Sequence, residues 1–151
     1  MTAPVAMDKK TRGTAIAMTA PVAMDKDTDA GMKRMKFFLP AEYDDMSKIP
    51  KPTNPAVKIE EVPPAVGAVH RYNGSFSDSI NEQMALALAA QLREDGLDRI
   101  SDDYAKDHFQ FWGYNPPFTI PYFRRNEVWI ELTTEEALKL QGKFEPNPVE
   151  E

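Results

Sequence analysis

The residues most suited to chemistry lie together between two strand-like segments near the end of the chain. Residues 115–125 contain three prolines, three aromatic side chains and two arginines, a composition typical of a long, stiff hairpin loop. The rings can contact a flat apolar ligand and the guanidinium groups can bind its carboxylates. The competing interpretation is that the rings pack beneath the loop while the arginines form turn and salt-bridge contacts. The candidate binding residues are Phe118, Tyr122, Phe123, Arg124 and Arg125.

Several other kinds of chemistry are excluded or disfavoured. The chain has no cysteine, which excludes disulfides, thiolate catalysis and Cys-ligated zinc or haem. No nucleophile elbow, Walker loop, dinucleotide-binding glycine pattern or metal-spaced His/Glu cluster occurs, so we expect no enzyme and no catalytic residue. The two residues of each acidic pair are adjacent in sequence, so their side chains point apart on a strand or helix. They are therefore interpreted as solvent-exposed charges and not as catalytic dyads.

Composition indicates one domain that is neither a nucleic-acid binder nor a membrane protein. The chain has 151 residues, of which 42% are hydrophobic, enough for a real core. A net charge of −6 disfavours a nucleic-acid surface, which needs a basic face. No apolar run approaches the roughly 18–20 residues that span a bilayer.

The start of the chain carries an exact repeat. The nine residues Met-Thr-Ala-Pro-Val-Ala-Met-Asp-Lys occur at positions 1–9 and again at 18–26. Two copies at this short period cannot form a solenoid. We expect residues 14–17 to continue the second copy as a strand, with Pro21 at a strand end or sheet edge, and a turn from Asp25 to Gly31.

The next elements follow from periodicity. Residues 31–40 alternate, with Met35, Phe37 and Leu39 on one face, which predicts a half-buried strand. A proline-rich loop follows, then a short strand at Val57 and Ile59. Residues 65–73 predict another strand, with Val66, Ala68, His70 and Tyr72 on one side.

The second half predicts one long helix between strands. Ser79 and Glu82 form a capping-box pattern that opens the helix, and Gly96 is placed to end it. Its apolar stripe is Ile80, Met84, Ala87, Leu88, Gln91 and Leu92. Residues 109–114 and 126–132 predict strands, and Thr133 with Glu136 caps a short helix to about Leu140. This order favours an α+β fold with an antiparallel sheet.

Several stretches resemble the SOUL/haem-binding protein family. The most specific is Tyr-Asn-Pro-Pro at 114–117 followed by Arg-Arg-Asn-Glu-Val-Trp at 124–129, and others are Ile-Ala-Met-Thr-Ala-Pro-Val at 16–22 and Met-Lys-Phe-Phe-Leu-Pro at 35–40. The likeness covers roughly residues 14–132. It implies a distorted antiparallel β-barrel flanked by helices, built from a duplicated strand–helix–strand–strand unit. The family's first strand and helix have no counterpart here, as if the chain were truncated or its first segment duplicated.

The resemblance also implies a function: noncovalent binding of haem or a related tetrapyrrole for buffering, transport or sensing. The hairpin-loop rings would then contact the macrocycle and Arg124 or Arg125 the propionates. The axial metal ligand stays unknown. His70 and His108 are the two histidines, the first on an apolar strand face and the second at an expected strand start. For both histidines, and for the eight methionines, a structural role is the commoner outcome.

The expected organisation is a poorly ordered segment over residues 1–13, a SOUL-like domain over 14–141 and a flexible acidic tail over 142–151. The family likeness implies a cytoplasmic or plastid protein. The alternative function is a protein-interaction module without a ligand, which would present the amphipathic helix 79–95 to an unknown protein partner.

Overall fold

A computed structural model describes residues 13–27 and 32–144 of the chain. Most of the expected first segment, 1–13, and of the expected tail, 142–151, therefore lies outside the described residues. The described elements are β1 Val22–Asp27, β2 Met32–Phe37, β3 Val66–Tyr72, α1 Asp78–Glu94, α2 Asp102–His108, β4 Gln110–Gly113, β5 Asn126–Leu132 and α3 Thr134–Phe144.

The five strands form one antiparallel sheet in the order β2-β1-β4-β5-β3. This arrangement confirms the α+β class with helices flanking a sheet. Among the described strands the sheet is open, with β2 and β3 at its two edges. The connection from Phe38 to Ala65 joins these two edges, which explains its length.

The core lies where α1 and α2 pack against β5 and β3. Val128 and Ile130 of β5 are fully buried, and Ala68 of β3 packs against the same cluster. In the register of the pair, Ala68 is the partner of Ile130 and His70 is the partner of Val128. The alternation predicted for β3 is therefore confirmed, because side chains two residues apart share a face of the sheet. The strand predicted at residues 126–132 from its aromatic and β-branched residues is confirmed as β5.

Helix α1 begins two residues earlier than its sequence pattern predicts. Ser77, and not Ser79, is the N-cap, and its side chain accepts a hydrogen bond from the Ile80 backbone N–H. The buried stripe is rotated accordingly. It retains the predicted Leu88 and Leu92, while Ala87 and Gln91 are exposed. The buried residues of α1 are Asn81, Ala85, Leu88, Ala89 and Leu92.

The predicted end of α1 and the predicted start of α3 are both confirmed. Gly96 follows α1 with a φ of +101°, and the Leu97 N–H bonds the Leu92 carbonyl at 2.9 Å, as in a Schellman motif. Thr133 and Glu136 form a reciprocal capping box at α3. The helix runs to Phe144, past the expected end near Leu140.

Four local expectations were wrong. Residues 14–16 are not a strand, and β1 instead starts after Pro21 and runs through Asp25, where a turn was expected. Val57 and Ile59 form no strand, because the prolines around them prevent regular pairing. The apolar face of β2 is exposed, not half-buried, since β2 is an edge strand. The helix α2 was not predicted, although Ser101 caps it.

Close packing at Gly67 generates a first prediction. A Cβ atom added there would lie 2.4 Å from Trp129 Cε2 and 2.7 Å from the Ile130 carbonyl oxygen. Gly67→Ala must therefore displace an indole ring and backbone, and we expect it to lower the free energy of unfolding by about 1–3 kcal/mol. The measurement is urea denaturation followed by tryptophan fluorescence.

Gly142→Ala is the matched control for this substitution. A Cβ atom added at Gly142 meets no atom within 4 Å, and the residue lies in α3. Alanine there should raise stability by up to about 1 kcal/mol, because it favours the helix. Equal urea midpoints for the two variants would contradict the role assigned to the Gly67–Trp129 contact.

Candidate functional site: an arginine groove beside the hairpin loop

The predicted hairpin loop exists and connects β4 to β5. A 3-10 turn at Pro121–Phe123 shapes its second half, where the Phe123 N–H donates to the Ile120 carbonyl at 3.0 Å. The loop is also tied to the turn after β3, since the Gly74 N–H donates to the Pro121 carbonyl at 2.9 Å. Gly74 has a φ of +102°, a conformation that glycine adopts readily. The two connections form one rigid end of the molecule.

The aromatic side chains of the loop point outward. Phe118 is 82% exposed, Tyr122 is 74% exposed and Phe123 is 69% exposed. Tyr122 and Phe123 meet edge to face, with ring centroids 5.3 Å apart. These three rings do not pack beneath the loop. The structure therefore contradicts the part of the competing interpretation that concerns the aromatic side chains.

Arg124 is held by the loop itself. Its Nε donates to the Thr119 carbonyl at 3.0 Å, and its Nη2 donates to the Pro117 carbonyl. The guanidinium carbon lies 5.3 Å from the centroid of the Phe76 ring, a cation–π contact. The arginine therefore makes the turn contacts of the competing interpretation, while the rest of its five N–H donors are left for other partners.

Arg125 is fixed by a buried carboxylate. Glu127 is 5% exposed, and its Oε1 accepts from Arg125 Nε at 2.8 Å and from Nη2 at 2.6 Å. The other oxygen, Oε2, accepts from the Tyr114 hydroxyl at 2.8 Å. Burial, together with the bond to Glu127, raises the pKa of Tyr114, and the same carboxylate raises the pKa of Arg125. The two ends of the loop are thus joined through Glu127.

Sequence reasoning missed a third arginine at this place. Arg71 on β3 lines an open groove of about 400 Å³ together with the following residues, which we call the arginine groove: Tyr72, Asn73, Tyr122, Phe123, Arg124 and Arg125. Within the described part of the chain, the Arg71 side chain makes no ion pair or hydrogen bond. Arg71 pairs with Glu127 in the β3–β5 register, and this long-range pairing is not visible in a single sequence.

The arrangement can bind an anion that has an apolar body. Three arginines line one groove of a chain with a net charge of −6, together with the exposed rings of Tyr122 and Phe123. Phe118 is exposed on the same loop but does not line the groove. The structure thus brings four of the five predicted residues together and sets the fifth apart.

The candidate metal ligands lie elsewhere. His70 stacks on Tyr72 with centroids 6.4 Å apart, and His108 ends α2 with its Nδ1 2.9 Å from the Tyr104 carbonyl oxygen. Neither histidine lines the arginine groove, and none of the methionines that the structure describes does. Across residues 13–27 and 32–144 no group of three or more His, Asp or Glu side chains could hold a metal ion.

The helix of the alternative function is already used by the core. Leu88 and Leu92, which a partner protein would have to contact, are buried against the sheet. No helix among the described residues is long and apolar enough to cross a membrane.

Fold and site together define an α+β protein that presents an aromatic, arginine-lined groove at one end of an open antiparallel sheet. The model of the SOUL heme-binding protein family matches residues 1–131, most of the chain. The chain therefore belongs to the SOUL heme-binding protein family, as its motifs predicted.

Curated relatives agree with this assignment. Heme-binding protein 1 of Mus musculus is 33% identical over 98 residues, which cover 65% of this chain and 48% of the relative. The Sus scrofa protein of the same name is 34% identical over equal shares. The Xenopus tropicalis protein is 35% identical over 92 residues, 61% of this chain and 44% of the relative. The chain spans about half the length of the curated relatives it matches.

The buried carboxylate generates a second prediction. Glu127→Gln keeps the shape of the side chain but removes its charge, so Arg125 loses its charge-assisted bonds and the Tyr114 hydroxyl must turn from donor to acceptor or lose its partner. Hydrogen bonds to charged groups contribute roughly 1.5–3 kcal/mol, and we expect a loss of about 2 kcal/mol in the free energy of unfolding.

Glu131→Gln provides the control, because Glu131 lies on the same strand and the same sheet face but is exposed. It should change stability by less than about 0.5 kcal/mol in the same urea denaturation. If both variants unfold at the midpoint of the parent chain, the Glu127 contacts do not stabilise the loop.

Tyr72 generates a pH prediction. Burial raises the pKa of its hydroxyl from an ordinary value of 10.0 to about 12, and the hydroxyl donates to the side-chain oxygen of Asn81 on α1. Between these two values the folded protein holds a proton that the unfolded chain has lost. The tyrosine's contribution to stability is therefore complete below pH 10 and is lost as the pH rises toward 12.

Tyr72→Phe should make the fall of stability with pH less steep in that window, as measured by urea unfolding at a series of pH values. Tyr122→Phe, which removes a hydroxyl from an exposed ring, serves as the control and should keep the parent slope. An identical slope for all three proteins would exclude Tyr72 as a source of the alkaline loss.

Proposed function

We propose that this chain binds haem or a related tetrapyrrole noncovalently at the arginine groove. Membership of a heme-binding family supplies the ligand class. The observation that carries the proposal is the convergence of Arg71, Arg124 and Arg125 beside the exposed rings of Tyr122 and Phe123. A tetrapyrrole with propionate groups has the matching chemistry, a flat apolar macrocycle with two carboxylates at one edge.

The exposed rings favour this ligand because apolar surface that is left in contact with water is energetically unfavourable. Large contiguous apolar patches are uncommon on soluble monomers and often mark binding sites. Tyr122 and Phe123 already meet edge to face at the 3-10 turn, so little side-chain conformational entropy is lost when a macrocycle covers them. Ile120, which is 62% exposed, extends the same apolar surface.

The three arginines differ in what they can contribute. Arg124 and Arg125 are held in place by the loop carbonyls and by Glu127, and each keeps unused N–H donors. Arg71 has no competing partner among the described residues, so its whole guanidinium is available for a bidentate contact with a carboxylate. We therefore assign the principal propionate contact to Arg71, with Arg124 and Arg125 as supporting donors.

Recognition in this site would rest on the macrocycle and its carboxylates. When bound, haem would supply its iron chemistry, but no described histidine or methionine lines the groove to ligate that iron. The groove is open along its length. Such a site suits reversible loading and release, and hence buffering, transport or sensing.

The test is an absorbance titration of the full chain with haemin and, separately, with iron-free protoporphyrin. Both should give saturable spectral shifts with similar affinity, and the dimethyl ester of protoporphyrin should bind more weakly. Arg71→Ala should weaken binding of both acids by about tenfold, the effect of losing roughly 1.4 kcal/mol of a charge-assisted hydrogen bond. Arg124→Ala with Arg125→Ala should weaken it further.

Lys58→Ala is the control for loss of positive charge, because Lys58 is an exposed residue outside the groove. It should leave the affinity unchanged. A flat titration of folded protein would contradict the proposed function. Binding of haemin without protoporphyrin would contradict the mode of recognition, since it would require a contact to the iron.

A further inference from the structure

A second cavity lies between the sheet and the helices and shares no lining residue with the arginine groove. It is partly open and has a volume of about 110 Å³. Its apolar wall is formed by Met24 of β1, Phe111 of β4 and Phe109, which lies between α2 and β4. A closed apolar cavity of about 150 Å³ can hold benzene, so this partly open cavity has room for one aromatic ring.

Two lysine contacts connect the sheet to the helices at the border of this cavity. Lys33 of β2 forms an ion pair with Asp78, the first residue of α1. The Lys26 ammonium of β1 donates to the Lys106 carbonyl of α2 at 2.8 Å and lies 6.0 Å from the centroid of the Phe109 ring. Both side chains of the Lys33–Asp78 pair are more than half exposed. Because exposed ion pairs are weak, this one can open to admit a small molecule.

The polar side of the cavity carries a buried amide with an unused donor. Asn81 of α1 is 6% exposed, and its Oδ1 accepts from the Tyr72 hydroxyl. Its Nδ2 has no hydrogen-bond partner in the part of the chain that the structure describes. That atom is not sealed from solvent, since among the described residues only Asp25 Oδ1 is a buried side-chain polar atom without a hydrogen bond. The Asn81 amide nitrogen therefore reaches the cavity that this residue lines.

A carboxylate without a partner lies next to this amide along the helix. Glu82 lines the same cavity and is half-buried. Within residues 13–27 and 32–144 it forms no ion pair or hydrogen bond, whereas Asp78 is already paired with Lys33. The cavity thus offers one free hydrogen-bond donor and one free acceptor beside its apolar wall.

We propose that this cavity binds a small neutral molecule with one aromatic ring and a hydroxyl group, of which phenol is the simplest. A hydroxyl accepts one hydrogen bond and donates another, so it can bind Asn81 and Glu82 together. The ring then covers the apolar wall. A water molecule can make the same two hydrogen bonds, but only the ring removes that wall from water.

The charges around the cavity favour a neutral ligand. Lys33 and Asp78 neutralise each other, and Lys26 and Glu82 have opposite signs. Asp25 also lines the cavity, but its carboxylate is already paired with a lysine of β2. A carboxylate in place of the hydroxyl would be repelled by Glu82 and could not donate to it.

The test is a titration of the full chain with phenol, anisole and benzoate, followed by NMR of the side-chain amides. Phenol should saturate in about the millimolar range, as a single-ring ligand does, and should shift the Asn81 amide resonance. Anisole, which accepts a hydrogen bond but cannot donate one, should bind about tenfold more weakly, because it loses the bond to the Glu82 carboxylate. Benzoate should also bind more weakly than phenol.

Glu82→Ala tests the assigned acceptor. It should weaken phenol binding about tenfold and leave anisole binding unchanged within about twofold. Glu94→Ala is the matched control, because it removes an exposed carboxylate from the last residue of the same helix, outside the cavity. This variant should leave both affinities unchanged. Equal binding of phenol and anisole by the parent chain, or equal phenol affinities for the two variants, would overturn the proposal.

Arg71→Ala distinguishes this cavity from the arginine groove. It should leave phenol binding unchanged, because Arg71 lines the groove and not the cavity. Phenol binding that Arg71→Ala weakens would overturn the proposal, since the ligand would then lie in the groove. An Asn81 amide resonance that does not move with phenol would also overturn it, since the cavity would then hold only water.

Discussion

The buried carboxylate of Glu127 is the group on which the end of the molecule that carries the candidate site depends. It lies on β5, pairs with Arg125 and accepts from Tyr114, and so joins the last and first residues of a long loop. Burying a carboxylate is costly unless it is paired and hydrogen-bonded, and here both oxygens have partners. Because the loop ends are fixed in this way, its rings need not pack inward to hold its shape.

The rest of the sheet supports this end unevenly. Helices α1 and α2 cover β5 and β3, where Val128 and Ile130 are fully buried, while β2 keeps an exposed apolar face. The groove is built on the well-packed side, from the end of β3, the residue that follows it and the β4–β5 loop. A rigid frame under a site limits the entropy lost on binding.

Local patterns predicted the elements that rest on local physics. Alternation located β3, aromatic and β-branched residues located β5, and the Thr133–Glu136 box and Gly96 marked helix ends. Each of these signals lies within a few residues of its effect. The pattern at Ser79 misplaced the start of α1, since Ser77 offered an equally good cap two residues earlier. The exposure of β2 could not be predicted, because it depends on which strands become edges.

The candidate site was likewise predictable only where it depends on local sequence. Composition located the loop and its five candidate residues, but neither the outward aim of the rings nor the part played by Arg71 follows from local sequence. Arg71 reaches the groove only because β3 pairs with β5, whose Glu127 is its register partner. Glu127 already engages Arg125 on the loop side, and this leaves Arg71 without a carboxylate partner in the part of the chain that the structure describes. An arginine without a partner among the described residues, next to a paired one, gives the groove a surplus of positive charge, and this surplus matches the anionic ligand that we propose for it.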